Sequence, residues 1–516
     1  MDREISGLLS HQTWELVPRS SIPRGRKPCK SKWVYRIKFL RDGTIDRFKS
    51  RFVVCGYSQK EGVDFDQSFS ATLRATSFRW LLAIAAHYCL ELEHMDVSNA
   101  FTQAVLDDVD IWCEPARGYE TYHTDGTTMV YKLKRALYGT RQASRLWQQT
   151  LRSYLLSVGF SSSLSDPCLF VRRRNGKLLL LAIYVDDIVC AHNCSKEFDL
   201  FKQEFCTRFN ASHLGKLSWF LGMSIDRGAH GSVHLGHQKY IEDLINKFVP
   251  DFHSNNILRD VPCTAEKFAS VGPAEDEVER SAVRSKPYME LIGALLYLST
   301  MSRPDICYYL SKLCKHMQNP NAACWSCAVS ILLYLYKTRD KRIVYSKDKY
   351  LPDGFWRAQA EINGNMGFHV YSDASWNVPS PSYGFCVFLS NGPISFTSKT
   401  LKTADSSCEA EYTACSKAAR DITFIRNLSD DLGFTLQGRL ALGVDNTAAI
   451  DVARNMGVTA RNKHFEREIH YIREQYELRR ITLIHIPTTK QVADIFTKCL
   501  DPTTFKRFRD CLLQDV

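Results

Sequence analysis

Tyr184-Val185-Asp186-Asp187 lies between two apolar runs, Leu178-Leu179-Leu180-Leu181-Ala182-Ile183 and Ile188-Val189-Cys190-Ala191. No other feature constrains the fold as tightly. An apolar strand is stable when buried, but two adjacent aspartates at its end are not, unless solvent or a cation meets them. The pattern is that of a hairpin whose tip presents negative charge. Read in isolation, it is also a turn whose acids only cap a strand end. A third carboxylate narrows the choice. Asp96 lies in Glu93-His94-Met95-Asp96-Val97-Ser98-Asn99-Ala100-Phe101, after the helically spaced Trp80-Leu81-Leu82-Ala83-Ile84-Ala85-Ala86. Two strand ends brought together would offer Asp96 and Asp186 to the same ions, with Asp187 beside them. Hard divalent cations such as Mg²⁺ take oxygen ligands and keep positions for phosphate oxygens. A pair of them activates an attacking hydroxyl and stabilises the leaving oxygen of an in-line displacement.

Further runs follow in order along nearly the whole chain. They are Thr13-Trp14-Glu15-Leu16-Val17-Pro18, Lys32-Trp33-Val34-Tyr35-Arg36-Ile37-Lys38, Leu137-Tyr138-Gly139, Ser165-Asp166-Pro167-Cys168-Leu169-Phe170, Trp219-Phe220-Leu221-Gly222 and Ser302-Arg303-Pro304-Asp305-Ile306. With the Tyr-Val-Asp-Asp motif, they make the chain resemble the reverse transcriptase and ribonuclease H region of Ty1/copia-type long-terminal-repeat retrotransposon Pol polyproteins. The resemblance implies a multidomain α/β and α+β fold: a right-hand polymerase of fingers, palm and thumb, then a ribonuclease H-like α/β domain. The expected boundaries are 1–210 for fingers and palm, 211–270 for a thumb-like region, 271–360 for a linker and helical connection, and 361–516 for the last domain.

At 516 residues the chain exceeds what one hydrophobic core normally serves. Its net charge is +11, and residues 1–60 hold 14 Lys/Arg against 5 Asp/Glu, while 131–153 hold 6 basic residues and no acid. A basic segment interleaved with aromatics suits a phosphate backbone, although any single Lys or Arg reads as solvated surface. The 18 cysteines are scattered and read as reduced thiols. Cys324-Trp325-Ser326-Cys327 is the sole Cys-x-x-Cys, lacks a second ligand pair, and reads as two sulfurs on one helix face. No apolar run approaches a membrane span. A hairpin is expected from 34–39 and 48–54 with a turn at Arg41-Asp42-Gly43. A linker is expected around 270–287, helices over 288–340, and a polar break from Asp348 to Asn365.

A second set of acids follows. Gly367-Phe368-His369-Val370-Tyr371 leads to Asp373, Glu409-Ala410-Glu411-Tyr412 reads as helix, Val444-Asp445-Asn446 ends a strand, and Ala493-Asp494 lies near the end. Singly each reads as an exposed acid. Together, with Ile394-Ser395-Phe396-Thr397-Ser398-Lys399 and Ala493-Asp494-Ile495-Phe496-Thr497-Lys498, they resemble the D-E-D-D set of copia-type ribonuclease H. The resemblance implies that Asp373, Glu411, Asp445 and Asp494 hold two Mg²⁺ ions and direct a water at the RNA strand of a hybrid. Glu411 is chosen over Glu409 because Glu411-Tyr412-Thr413-Ala414 matches the family's run. His464 and His485 are candidate proton shuttles, His485 reading rather as packed or surface, and Glu466 stands where relatives usually carry Asp.

In the polymerase part the resemblance implies metal ligation by Asp96, Asp186 and Asp187, again with two ions, Mg²⁺ or Mn²⁺ in its place. Phe101 would lie under the incoming sugar and leave no room for a 2′-hydroxyl; by itself it reads as core. Gln142 would contact the nucleotide, and Lys49 and Arg51 its triphosphate. Leu214-Gly215 and Phe220-Leu221-Gly222 would grip the primer through backbone. Implied partners are an RNA template, a DNA primer, an RNA–DNA hybrid and dNTPs, with no membrane. A dimer or association with other polyprotein products is left open, in an intracellular setting that is cytoplasmic, in virus-like particles, or nuclear. Cys55, Thr140 and Ser144 depart from the family's usual residues without removing a metal ligand. Protease and integrase signatures are not seen, which suggests a processed-like unit, a fragment of a polyprotein or a remnant. The rival expectation is an inactive remnant that binds nucleic acid; a cellular ribonuclease H with an added domain does not explain the ordered polymerase motifs.

Overall fold

The computed structural model describes residues 1–39, 44–106, 109–252, 258–347, 366–376, 381–401, 406–454 and 466–516. The expected turn at Arg41-Asp42-Gly43, the polar break over 348–365 and His464 lie outside the described residues. Contacts divide the chain into two compact units, residues 1–73 with 93–215 and residues 74–92 with 216–516.

In the first unit, Ser31–Phe39 and Ile45–Val54 form an antiparallel hairpin, each strand starting three residues earlier than the apolar pattern predicts. Alternation along the second strand sends Lys49 and Arg51 to one face and buries Phe52 and Val54 on the other. Phe52 packs edge-on to Trp14, which stacks on Tyr131 at 4.3 Å between ring centroids. A six-stranded sheet runs in the order Ala211–Lys216, Glu91–Val97, Asp187–His192, Lys177–Tyr184, Leu169–Arg174, Ser161–Ser162. Two helices supply its core. Ala143–Ser157 buries Trp147, Leu151 and Leu155, and Ser195–Phe209 buries Phe198, Phe201, Phe205 and Phe209. These are single apolar stripes at helical spacing.

Gly139 explains why the Leu-Tyr-Gly run precedes the first of these helices. Its φ is +89°, and an added Cβ would lie 2.0 Å from the Val54 carbonyl oxygen. The Val54 N–H also donates to the Tyr138 carbonyl at 2.8 Å. Only glycine tolerates both the left-handed backbone and this approach.

The second unit opens with the helix Ala75–His87. It precedes Asp96 in sequence, yet its partners lie far along the chain. The Arg79 guanidinium donates to the carbonyls of Thr300, Met301 and Ile394, and the Trp80 indole donates to Ser429 Oγ at 2.9 Å. Trp219–Phe220 and Met223–Arg227 form a hairpin whose two turn residues, Leu221 and Gly222, both have positive φ, as right-handed strand twist favours. Helices occupy Tyr288–Met301, Cys307–Leu313 and Ala322–Lys337. The expected linker around 270–287 instead contains the helix Glu277–Arg284. Asp276 caps it by accepting from the Glu279 N–H at 2.7 Å, and the Glu279 carboxylate returns to the Glu275 N–H at 3.2 Å. Its charges are therefore helix-supporting rather than the mark of an unstructured tether.

The last sheet runs Gly392–Thr400, Ser382–Leu389, His369–Ser375, Leu440–Val444, Ile481–His485. The first three strands are antiparallel and the last two join in parallel. The 25-residue helix Ser407–Asp431 packs on the central strand. This is the mixed sheet of a ribonuclease H-like domain, and with the palm-like sheet it makes the chain a mixed α/β protein. Among the described residues no helix is long and apolar enough to cross a membrane.

Arg303 and Asp305 form a fully buried ion pair at 2.7 Å, with Tyr334 Oη donating to the same carboxylate at 2.5 Å. The guanidinium also donates to the Thr338 carbonyl and hydroxyl. Removing one member leaves the other charge buried and unmatched. Asp305→Ala should therefore cost about 3–5 kcal/mol, read as a shift in the denaturant midpoint of the second unit. A loss below about 1 kcal/mol, the range of an ordinary surface change, would contradict this account of the network.

Candidate functional site

Asp96 sits on the strand Glu91–Val97 and Asp186 at the tip of the hairpin formed by Lys177–Tyr184 and Asp187–His192. The Val97 N–H donates to the Asp186 carbonyl at 2.9 Å, which ties the end of the Asp96 strand to the hairpin tip. Burial pushes the Asp186 carboxyl up, and Asp187 and Asp96 add their repulsion. The hairpin turn is strained: Val185 has φ +58°, a conformation unusual for a β-branched residue. The Trp147 indole donates to the Val185 carbonyl at 2.7 Å and helps hold the turn.

Asp187 departs from the expectation of a shared ligand. Its Oδ1 meets His94 Nε2 at 3.1 Å; Asp187 opens the strand Asp187–His192, whereas Asp186 belongs to the turn before it. Among the described residues, Asp96, Asp186 and Asp187 are not drawn into a trio whose ligand atoms all lie within 4.8 Å of one another.

Phe101, half-buried, packs edge-on to Tyr138 with centroids 5.2 Å apart, and the Arg51 guanidinium lies over the same tyrosine at 5.1 Å. Burial raises the Tyr138 hydroxyl to about 12, and the nearby Asp186 and Asp96 contribute. Phe101, Arg51 and the palm acids thus share one neighbourhood, and Lys49 lies two residues from Arg51 on the same strand face. Sequence reasoning gave Tyr138 no part here, although it stands in the Leu-Tyr-Gly run. Gln142 faces inward. It is buried, its Nε2 donates to the Asp64 carbonyl at 2.9 Å, and its Oε1 accepts from Gln59 at 3.1 Å. Turned inward in this way, it braces the 59–64 loop.

The second set converges more tightly. Asp373 lies on the central strand, Glu411 on the long helix and Asp445 just after Leu440–Val444; one ligand atom of each lies within 4.8 Å of the others. Asp373 is 1% exposed and Glu411 7%. Burial raises the Asp373 carboxyl to about 7. Burial, then the charges of Asp373 and Asp445, raise Glu411 to about 9. The Glu411 Oε2 atom is buried without a hydrogen-bond partner. A hard cation fits this donor set, since it would satisfy the orphaned oxygen and relieve the repulsion.

Asp494, in the short helical turn Val492–Phe496, stands outside that trio. Lys498 Nζ meets its Oδ1 at 2.9 Å and reaches Asp373 at 3.4 Å, and Thr497 Oγ1 donates to Asp373. Burial opposes the Lys498 ammonium, yet Asp373 and Asp494 carry its pKa upward. Sequence reasoning missed Lys498, although its place four residues after Asp494 is a readable signal on a helical turn. Glu409 lies in the first turn of that helix, which Ser406 caps: Ser406 Oγ accepts from the Glu409 N–H at 3.1 Å. His485 is exposed at the end of its strand, in register with Val444.

Carboxylates gathered at a hairpin in one unit, and on a mixed sheet in the other, are the donor sets of a protein class that holds hard divalent cations. Residues 11–258 match the family described as reverse transcriptase (RNA-dependent DNA polymerase). Over 98% of its length the chain is 31% identical to the retrovirus-related Pol polyprotein from transposon RE1 and 30% identical to that from transposon RE2, both of Arabidopsis thaliana. It spans 33% of each, about a third of their length. A foamy viral protease-reverse transcriptase in complex with double-stranded DNA is 12% identical, with a TM-score of 0.46 over 94% of this chain and 69% of that one. Its likeness over nearly its whole length is thus to one part of the Pol polyproteins of copia-type retrotransposons.

The raised carboxyls give a pH dependence. The folded protein keeps protons on Glu411 up to about 9 and on Asp373 up to about 7, while the unfolded chain loses them at 4.5 and 3.8. The native state binds more protons in that window, so without metal its stability falls as pH rises. A divalent ion displaces those protons and should stabilise most near the alkaline end. Glu411→Gln should raise the metal-free Tm at about pH 8 and blunt the response to Mg²⁺. Thermal melts across pH with EDTA or Mg²⁺ measure both effects; a Tm that rises with pH in EDTA would contradict the cluster's electrostatics.

Proposed function

We propose that this chain is an RNA-directed DNA polymerase joined to a ribonuclease H, copying retrotransposon RNA into DNA and degrading the RNA of the resulting hybrid. One observation carries the proposal: three acids from distant parts of the chain meet on the last sheet, while the strand bearing Asp96 is hydrogen-bonded to the Asp186–Asp187 hairpin. The substrates are an RNA template, a DNA primer, dNTPs and the RNA–DNA hybrid. The basic balance of +11 favours such phosphate-rich partners.

In the polymerase half, Asp96 and Asp186 would hold Mg²⁺, with Asp187 oriented by His94. The ion would activate the primer hydroxyl and neutralise the triphosphate. Lys49 and Arg51 stand on the face that would meet the phosphates, and Arg51 suits bidentate contact. Phe101, buttressed by Tyr138, would exclude a ribose 2′-hydroxyl by bulk. In the nuclease half, Asp373, Glu411 and Asp445 would hold the first cation through three carboxylates, the unpartnered Glu411 oxygen among them. Asp494 would join them as Lys498 yields its place. The reading implies an intracellular protein.

Primer extension and hybrid cleavage, measured on one preparation, separate the halves. Asp186→Asn should lower synthesis by more than about 100-fold and spare hybrid cleavage, and Asp445→Asn should do the reverse, on the scale of a lost catalytic group. If both variants keep both activities, the assignment of these residues is wrong. Phe101→Val should weaken discrimination against ribonucleotides about 10-fold or more, read as the ratio of kcat/KM for dNTP and rNTP. An unchanged ratio would return Phe101 to a packing role.

A further inference from the structure

The Cys-x-x-Cys run of the helix Ala322–Lys337 does not act as a pair. Cys324 Sγ turns to the Gly272 carbonyl at 3.3 Å. Cys327 Sγ meets instead the Sγ of Cys263, 64 positions earlier, at 3.0 Å. Disulfide sulfurs lie about 2.0 Å apart, so this pair stands about 1 Å short of a bond. Both thiols are buried, and both belong to the second unit. Cys263 nevertheless lies just under the surface, because Thr264, Ala265 and Glu266 beside it are exposed.

The surroundings favour reaction at Cys263. The Cys327 thiol beside it and then the Lys267 ammonium favour its thiolate and lower its pKa, against the effect of burial. Lys267 is fixed there, since its Nζ donates to the Ser326 carbonyl at 3.0 Å. The thiolate is the nucleophilic form, so a cysteine next to a cation and facing a second thiol has both an attacking and a resolving partner.

We infer that Cys263 and Cys327 form an oxidisable pair that hydrogen peroxide converts to a disulfide, stapling residue 263 to the helix Ala322–Lys337. The Cys263 thiolate attacks one peroxide oxygen; the O–O bond breaks and hydroxide leaves as water after protonation, giving a sulfenic acid. The Cys327 sulfur then displaces the sulfenic oxygen, the S–S bond forms and a second water leaves. Two thiols and one peroxide become one disulfide and two waters; the sulfurs lose the two electrons that the peroxide gains. The bond would close a segment containing the helices Ala265–Ala269, Glu277–Arg284, Tyr288–Met301 and Cys307–Leu313. Such closure stabilises chiefly by restricting the unfolded chain.

The full chain is treated with hydrogen peroxide, its remaining thiols are alkylated, and it is digested without reductant for mass spectrometry. A peptide joining Cys263 to Cys327 is expected, together with an upward shift in Tm that dithiothreitol reverses. Cys324→Ser should retain the linked peptide and Cys327→Ser should lose it. The mapping on the unaltered protein stands even where a variant fails to fold. Oxidation of the exposed Cys89 without the linked peptide would overturn the inference, as would a link between Cys324 and Cys327.

Discussion

Crowding carboxylates away from water is the constraint on which both candidate sites depend. At low dielectric the mutual repulsion of Asp373, Glu411 and Asp445 is strong, and it must be met by protons or by cations. Among the described residues, Lys498 supplies a cation on the Asp373 and Asp494 side. The Glu411 side is left with an unpartnered oxygen. That imbalance is not a stable arrangement for a structural network, in which buried polar groups are satisfied. It is the arrangement expected where an ion completes the set.

The palm hairpin meets the same constraint more loosely. Its acids are half-buried, Asp187 is drawn to His94, and the left-handed Val185 keeps the tip in a sharp turn. A strained conformation persists only where its surroundings impose it, and here the Trp147 hydrogen bond and the Val97–Asp186 backbone bond do so. The site is therefore built by strand pairing and one indole, whereas the Asp373, Glu411 and Asp445 cluster is built by burial.

Much of this was legible in the sequence because the chemistry is carried by types that stand out against apolar strands. Asp186 and Asp187 between two buried runs, and Asp445 after Leu440–Val444, announce themselves by position. Other parts were not legible for physical reasons. The inward hydrogen bonds of Gln142 to Asp64 and Gln59 join residues about 80 positions apart, and no periodicity encodes that. The helix Ala75–His87 precedes Asp96 by a few residues but packs through Arg79 and Trp80 on segments more than 200 residues away. The charged stretch 275–284 has a linker's composition and a helix's capping pattern, and the cap prevails. Tyr138, His94 and Lys498 act through neighbours, which only the folded chain brings together.

The central claim is that two independent carboxylate clusters hold divalent ions. Calorimetric titration of the metal-free chain with Mn²⁺ tests it most directly. The account predicts two separable classes of site: Asp186→Asn removes one and leaves the other, Asp445→Asn does the converse, and the double substitution removes both. Mn²⁺ binding that survives the double substitution unchanged, or that either single substitution eliminates entirely, would contradict it.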